Sequence, residues 1–284
     1  MSTTLLENSY GASEIRLLKV RRLDHRHDLK ELSIGIQLFG DFRDSYASGD
    51  NRGILPSDTI KNTVYALAKL YAIEQIEQFA QQLIDHFLGA NQQVRKVCVE
   101  IGEPMWQHIP FGGKPHPWSF MPACPERRTA TVTGTREAVE IEAGIENLQI
   151  IKSAGAAFEG YWRDPLTTLK ESSDRILAAS VKASWLYSDI EIPFSVYWHG
   201  VREALLDTFV EHQSSSLQNT LYSMAEAVLE RYGDIAEIHL RVPSKDCRLV
   251  DLSAFGLENN NEVFAPADTP VELIEARLRR ESLD

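Results

Sequence analysis

The chain has 284 residues, of which 43% are hydrophobic and 25% are charged, so it can bury the core of one large domain or of two ordinary ones. The formal net charge of -12 opposes a phosphate backbone, which argues against nucleic acid as a partner. No apolar run approaches the roughly 20 residues that span a bilayer, and the polar first residues are unlike a secretory signal peptide. We therefore expect a cytoplasmic protein without a membrane partner.

The first half of the chain begins with two stretches of period-two alternation and continues with two amphipathic helical patterns. Ser57 and Asp58 follow Pro56 and form a typical helix start. Strands are predicted at 14–22, 29–38 and 94–101, helices from 57 onward and near 73–88, and a glycine- and proline-rich loop at 112–117.

The second half repeats this order of elements. Alternating runs predict strands at 129–141, 148–153, 194–198, 237–242 and 248–252, and helical spacing predicts helices near 167–180 and 202–231. Two similar halves indicate a duplicated ββαα unit, which is an α+β architecture of antiparallel sheets with helices on one face. The other face stays uncovered unless copies of the chain close it into a barrel, so we expect oligomerisation.

The three cysteines, Cys98, Cys124 and Cys247, are widely spaced, without a CxxC pair or zinc-type histidine spacing. This pattern predicts a reduced interior and no metal site. His25 and His27 lie among charged neighbours at the end of a predicted strand, which is more typical of a solvated edge than of a metal centre.

Short motifs spread over nearly the whole chain resemble the urate oxidase (uricase) family in order and spacing. They are YG at 10–11, SDTIKNTVY at 57–65, GKPHP at 113–117, RD at 163–164, TTLKE at 167–171, DRIL at 174–177, SLQ at 216–218, DLS at 251–253 and EVFAP at 262–266. The resemblance implies a tunnelling fold (T-fold) with two ββαα modules, 1–143 and 144–284. It also implies a homotetrameric barrel with sites at subunit interfaces.

The same resemblance implies chemistry without a metal or organic cofactor, with dioxygen as co-substrate. In this family urate is held flat and loses a second proton, and the electron-rich dianion reacts with dioxygen to give 5-hydroxyisourate and hydrogen peroxide. The chain lacks a terminal Ser-Lys-Leu, which argues against peroxisomal delivery.

Five positions match the family's substrate-holding residues. Phe158 matches the aromatic ring on which the purine stacks, and Arg175 and Gln218 match the groups that hold its edges, with Leu217 beside them. Asp58 matches the aspartate at the helix start. The structural alternatives are a core phenylalanine, an Arg175–Glu171 pair on a helix surface and a solvated glutamine.

Ser57 matches the family's threonine, so a hydroxyl remains for proton relay, although a simple helix N-cap is the alternative reading. The other catalytic positions depart from the pattern. Ala12 stands where the family has its catalytic lysine, and Ser244 and Asp246 stand where it has an asparagine and a histidine. Asp246 could act as general base through Ser57, or it could be an ordinary surface-loop residue.

Removing a lysine and adding an aspartate makes the expected pocket about two charges more negative, which disfavours an anion such as urate. A neutral or amino-bearing heterocycle fits better. Two hypotheses follow: a cofactor-independent oxidase acting on urate or an amino-substituted relative, and a purine-binding protein or inactive paralogue without turnover. A base supplied from elsewhere, such as Lys61 or Glu14, stays open, whereas Ser57 lacks the adjacent histidine of an acyl-transfer nucleophile.

Overall fold

The computed structural model describes residues 3–245, 247–267 and 272–281, so Asp246 lies outside the described residues. The chain divides into two compact units. The first comprises Met1–Gly144 with Leu186–Ser195, and the second comprises Ile145–Trp185 with Val196–Asp284. Among the described residues, no helix is long and apolar enough to cross a membrane.

The first unit contains a four-stranded antiparallel sheet in the order β1-β2-β3-β4, with helices on one face. Its elements are β1 (Ser9–Leu23), β2 (Arg26–Gly40), α1 (Arg43–Ala47), α2 (Ser57–Leu70), α3 (Ile76–Ala90), β3 (Val94–Phe111) and β4 (Lys114–Gly134). The first two predicted strands are confirmed and pair with each other, and the helix that begins at Ser57 and the helix that follows it are also confirmed.

The core of this unit lies between the sheet and the two longer helices. Alternate β2 residues are buried because side chains of a strand point to opposite faces at each step. Leu32, Ile34 and Leu38 are fully buried, and Ile60 and Val64 of α2 are equally buried. One face of the sheet is therefore packed, whereas Gln37 and Glu100 of the opposite face are exposed.

A buried ion pair joins α3 to β4. The Arg128 guanidinium donates to both carboxylate oxygens of Glu77, at 2.9 and 2.6 Å, and also to the Ser195 hydroxyl at 3.2 Å. Glu77 is completely buried, so removal of either charged partner would leave a strongly destabilising isolated charge.

The prediction of a glycine-rich loop at 112–117 is confirmed for the two glycines and wrong for the residues after them. Strands β3 and β4 continue to Phe111 and Lys114, so only Gly112 and Gly113 form the turn. Both have positive φ, 59° and 77°, which a two-residue hairpin turn requires and glycine adopts without strain.

The second unit has strands in the order β5-β6-β7-β10. Its elements are β5 (Val139–Lys152, from Ile145 onward in this unit), β6 (Leu177–Tyr187), α4 (Phe194–Glu211), α5 (Leu217–Arg231), β7 (Ile235–Lys245), β8 (Cys247–Leu249), β9 (Phe264–Pro266) and β10 (Glu272–Arg279). Strand β10, which we did not predict, pairs antiparallel with β7 from Glu272–Ser244 to Arg279–Glu237.

Two strand predictions for the second half of the chain need correction: the run 129–141 is two strands rather than one, and 194–198 is helical. The run 129–141 contains a hairpin turn, in which Thr135 Oγ1 accepts from the backbone N–H groups of Glu137 and Ala138. The predicted strand 194–198 is the first turn of α4. There the period-two alternation is too short to distinguish a strand from a buried helix turn.

The predicted helix at 167–180 is also wrong. Hydrogen bonds around Asp164 and Thr167 close a turn, and Ser172 pairs its backbone with Phe158, so the segment cannot wind into a helix. The predicted single helix at 202–231 is instead two helices. Ser216 ends the break between them by accepting the backbone N–H of Asn219 at 3.1 Å as an N-cap.

Candidate functional site

The Tyr-Gly pair at the start of β1 holds the segment that precedes α2. The Tyr10 hydroxyl oxygen accepts the backbone N–H of Leu55 at 2.7 Å, and the Tyr10 ring meets Phe42 edge-on at 4.7 Å. A Cβ on Gly11 would lie 1.8 Å from the carbonyl oxygen of Ile36, so only glycine fits this position. The pair thereby fixes the approach to the α2 N-terminus, where Ser57 lies.

Ala12, at the position of the expected lysine, is half-buried and borders an open groove of about 340 Å³. Cys98 and Glu100 also line this groove. The pairing of β1 with β2 shifts between Ala12 and Ile15, and Glu14 within this bulge has a φ of 53°. The Glu14 carboxylate accepts the hydroxyl of Ser33 at 3.2 Å.

Ser57 is the first residue of α2, and both Ser57 and Asp58 are exposed. The N-cap position belongs to Pro56, which has no capping side chain, so the reading of Ser57 as a simple N-cap is wrong. Asp58 accepts the side-chain amide of Asn62 at 3.0 Å, and its negative charge in the first turn complements the helix dipole.

In the second unit, Phe158 and Arg175 form one stack. The guanidinium carbon of Arg175 lies 5.0 Å from the Phe158 ring centroid, and Tyr161 stacks on the same ring at 4.9 Å with an interplanar angle of 16°. Phe158 is half-buried, so its reading as a core residue is wrong. The helix-surface pair of Arg175 with Glu171 is also wrong, because Glu171 instead contacts Arg163 at 3.4 Å.

The Nε atom of Arg175 is buried and has no hydrogen-bond partner among the described residues. Buried donors in folded proteins are nearly always satisfied, so this guanidinium N–H beside an aromatic ring is available to an acceptor on a ligand or water.

Backbone hydrogen bonds bring this stack to the N-terminus of α5. Ala157 N–H donates to the Ser214 carbonyl at 2.7 Å, and Arg175 N–H donates to the Ala156 carbonyl at 2.8 Å. Ser214 comes shortly before α5, whose first two residues are the buried Leu217 and the exposed Gln218. Backbone hydrogen bonds therefore link the segments that carry Phe158, Arg175 and Gln218.

The direction of the chain places Ser244 at the same end of the second unit's strands as the N-terminus of α5. Strands β6 and β7 are neighbours, and two helices joined by short connections lie between them in sequence. Each connection reverses the chain, so β7 ends where β6 begins and where α5 starts. Ser244 is buried near the end of β7, and its hydroxyl donates to Glu272 Oε2 at 3.1 Å.

Sequence reasoning missed Tyr161 and Glu272. Tyr161 lies three residues from Phe158, but no periodic pattern predicts that the two rings stack across an irregular segment. Glu272 becomes a neighbour of Ser244 only through the pairing of β10 with β7. That long-range pairing leaves no local signal in the sequence.

No group of three or more His, Cys, Asp or Glu side chains suitable for a metal occurs in the part of the chain that the structure describes. His25 lies in the turn between β1 and β2. His116 belongs to β4, and its carbonyl oxygen lies 2.7 Å from Nδ1 of His108.

The uricase family model matches residues 8–133 and 141–275 of this chain. A uricase from Arthrobacter globiformis is 41% identical over 277 residues, covering 97% of this chain and 89% of that protein. A uricase from Danio rerio is 34% identical over 283 residues, covering 95% of each.

Solved structures agree with these relatives. The crystal structure of the Arthrobacter globiformis uricase has a TM-score of 0.95 at 39% identity, covering 100% of this chain and 97% of that chain. A uricase structure from Bacillus fastidious has a TM-score of 0.82 at 21% identity, covering 98% and 94%, which shows a shared fold.

Proposed function

Because the chain belongs to the uricase family, we propose that it oxidises urate or a urate-like purine heterocycle with dioxygen, without a metal or organic cofactor. The observation that carries the proposal is the stack of Phe158 and Arg175, with the unused Nε donor of the guanidinium. A flat heterocycle with carbonyl and ring-nitrogen edges supplies the acceptor that this donor lacks.

In the second unit, each candidate site residue has a separate role in substrate binding. Phe158 contacts a ring face, and Arg175 donates to acceptors on one edge of the ring. Gln218, exposed at the start of α5, can donate and accept at another edge, while the buried Leu217 fixes the helix start. These contacts orient the ring and leave one face for dioxygen.

We further propose that the chain is built of two ββαα modules, 1–143 and 144–284, and assembles as a homotetrameric barrel with its sites at subunit interfaces. Ala12, Ser57 and Asp58 would then come from a neighbouring copy. This assembly is supported by the exposed Gln37 and Glu100 on the face opposite the helices, since a closed barrel would line its interior with that face.

The reaction transfers two electrons from the deprotonated ring to dioxygen, which takes up two protons and leaves as hydrogen peroxide. Water then adds to the oxidised ring carbon, as the balance of atoms requires. By the resemblance, Ala12 and Asp246 stand in place of the family's lysine and histidine, and Ser244 stands in place of its asparagine. We propose that proton removal is left to Ser57, assisted by Asp246, and that the preferred substrate carries an amino group in place of a carbonyl.

Oxygen uptake and peroxide release with urate and with 2-amino-6,8-dioxopurine test the proposal. We expect equal amounts of oxygen consumed and peroxide formed, and a higher kcat/KM for the aminated purine. Arg175→Met should raise KM by about ten-fold or more, since it removes charged hydrogen bonds of about 1.5–3 kcal/mol. Arg231→Met is the matched control, because Arg231 is exposed at the C-terminal end of α5 and pairs with Asp207 of α4 at 3.5 Å.

The second candidate function is purine binding without turnover, which the small, apolar Ala12 side chain favours. Restoring the lysine by Ala12→Lys separates the two functions, since the adjacent groove of about 340 Å³ has room for it. An oxidase should gain urate turnover in this variant. Calorimetric binding of both purines without oxygen uptake, by the wild type and by Ala12→Lys, would instead establish the binding protein.

A further inference from the structure

We infer that Glu272 is a positioning residue that sets the hydrogen-bonding polarity of Ser244, so that the site prefers a purine with an exocyclic amino donor in place of a carbonyl at the edge facing Ser244. This inference rests on the proposed function and names the substrate class that the site selects. Glu272 lies outside every motif by which the sequence was compared with the family.

The hydroxyl of Ser244 already donates its one hydrogen to another side chain. The Ser244 side chain is buried, with a relative exposure of 6%, and its Oγ donates to Glu272 Oε2 at 3.1 Å. A serine hydroxyl has one donor hydrogen and two acceptor lone pairs. A carboxylate can only accept, so the hydrogen must point toward Glu272.

The pairing of two strands fixes this arrangement. Ser244 of β7 lies directly opposite Glu272 of β10, and the register continues residue by residue to Arg279 opposite Glu237. Arg241 and Lys182, which border the same groove as Glu272, are placed beside other acids: Arg241 is 4.0 Å from Glu275, and Lys182 is 2.6 Å from Glu146. The Glu272 carboxylate therefore remains directed at Ser244.

The consequence for a ligand is a reversal of polarity. Toward any group on its other side, Ser244 presents lone pairs and accepts a hydrogen bond, whereas a carbonyl oxygen would meet those lone pairs and be repelled. The nearby carboxylate acts in the same direction, because it disfavours an anion and favours a neutral amino-bearing ring. Urate, an anion at neutral pH with a carbonyl at each oxygenated carbon, is the poorer match.

Anaerobic calorimetry of urate and of 2-amino-6,8-dioxopurine tests the inference through the ratio of their Kd values. The wild type should bind the aminated purine more tightly. Glu272→Gln should reduce this preference by about ten-fold, since its amide can donate to Ser244 and free the hydroxyl hydrogen for a carbonyl. Glu258→Gln, at an exposed position of the second unit, is the control and should leave the ratio unchanged.

A double-mutant cycle with Ser244→Ala identifies the route of the effect. In the Ser244→Ala background, Glu272→Gln should change the ratio by less than about two-fold, because the hydroxyl through which it acts is absent. An undiminished change there would overturn the relay through Ser244. A merely structural role for Glu272 predicts a lower melting temperature with an unchanged ratio, which would also overturn the inference.

Ser244→Ala alone provides a second variant should Glu272→Gln fail to fold. It should lower the preference for the aminated purine, because its acceptor is gone, and an unchanged ratio would count against the inference. Binding of neither purine by the wild type would overturn this inference and the proposed function together. Binding with an unchanged ratio in all variants would overturn the inference alone and leave the proposed function standing.

Discussion

At the scale of single residues, the candidate site contains one side-chain donor that makes no hydrogen bond to the described residues. Arg175 keeps a buried Nε donor without a partner among the described residues, although its guanidinium is held over Phe158. Holding such a donor away from water costs free energy unless a ligand or water satisfies it. The Arg175 Nε donor is therefore available to an acceptor on a bound ring.

Phe158→Ala should raise KM for the preferred purine roughly ten-fold, because ring stacking contributes about 0.5–1.5 kcal/mol beyond simple burial. The melting temperature should change little, since the ring is only half-buried. Steady-state kinetics and thermal melts check both parts, with Phe255→Ala as control because Phe255 is 74% exposed in another segment. A loss of stability without a change in KM would contradict the assigned role.

Cys98 gives a prediction for pH. Burial, the largest cause, raises the pKa of its thiol above the ordinary 9.0, so the folded chain holds this proton more tightly than the unfolded chain. Its contribution to stability is therefore present below the unfolded pKa and is lost as the pH rises through the folded pKa. Alkylation by iodoacetamide should keep accelerating above pH 9.0 in the folded chain.

Mass spectrometry of the Cys98 peptide measures this rate, and the same chain in urea is the control. In urea the rate should level off near the ordinary pKa. Identical pH profiles for the folded and unfolded chains would contradict the prediction.

At the scale of elements, side chains on one element fix the ends of another. Lys19 of β1 donates to the carbonyl oxygens of Ala68, at 2.6 Å, and of Tyr71, at the C-terminal end of α2. A cation there complements the helix dipole. Tyr10 acts at the other end of the helix through Leu55. Strand β1 thus positions both ends of the helix that begins with Ser57.

Tyr10→Phe should lower the free energy of unfolding by about 1 kcal/mol, because the Leu55 N–H loses its partner. It should also lower kcat, since the segment before Ser57 is no longer fixed. Urea denaturation and steady-state assays measure the two effects. Tyr46→Phe is the matched control: this exposed hydroxyl donates to the Ser9 carbonyl at 2.8 Å rather than accepting from the segment before α2. An equal loss of kcat in both variants would refute the positioning role.

At the scale of the whole molecule, the sheet of the first unit ends in β1, which carries exposed apolar residues. Leu18 is 61% exposed and Val20 is 36% exposed. Terminal strands of this kind pair with other chains unless they are blocked. The formal net charge of -12 opposes non-specific association. Copies of the chain would therefore associate only through specific contacts, such as pairing along the edge of β1.

Leu18→Asp should reduce the sedimentation coefficient of the purified chain, because it places a charge in the proposed interface between copies. Analytical ultracentrifugation measures the change, and Leu257→Asp, at an exposed position of the second unit, is the control. Activity should fall with the assembly if Ala12 and Ser57 come from a neighbour. An unchanged sedimentation coefficient for the Leu18 variant would contradict the proposed interface.

The sequence by itself determined the α+β class, the alternating core of β2, the helix that begins at Ser57 and the candidate residues Phe158 and Arg175. Those features depend on local periodicity, on turn chemistry, or on motifs whose letters and spacing survive in the chain. Only the tertiary structure decided that 167–176 is irregular and that 177–180 begins β6, that Phe194 begins a helix, and that Glu272 binds Ser244. The physical reason is that the first two depend on packing that overrides weak local preference, and the third on strand pairing between segments far apart in sequence.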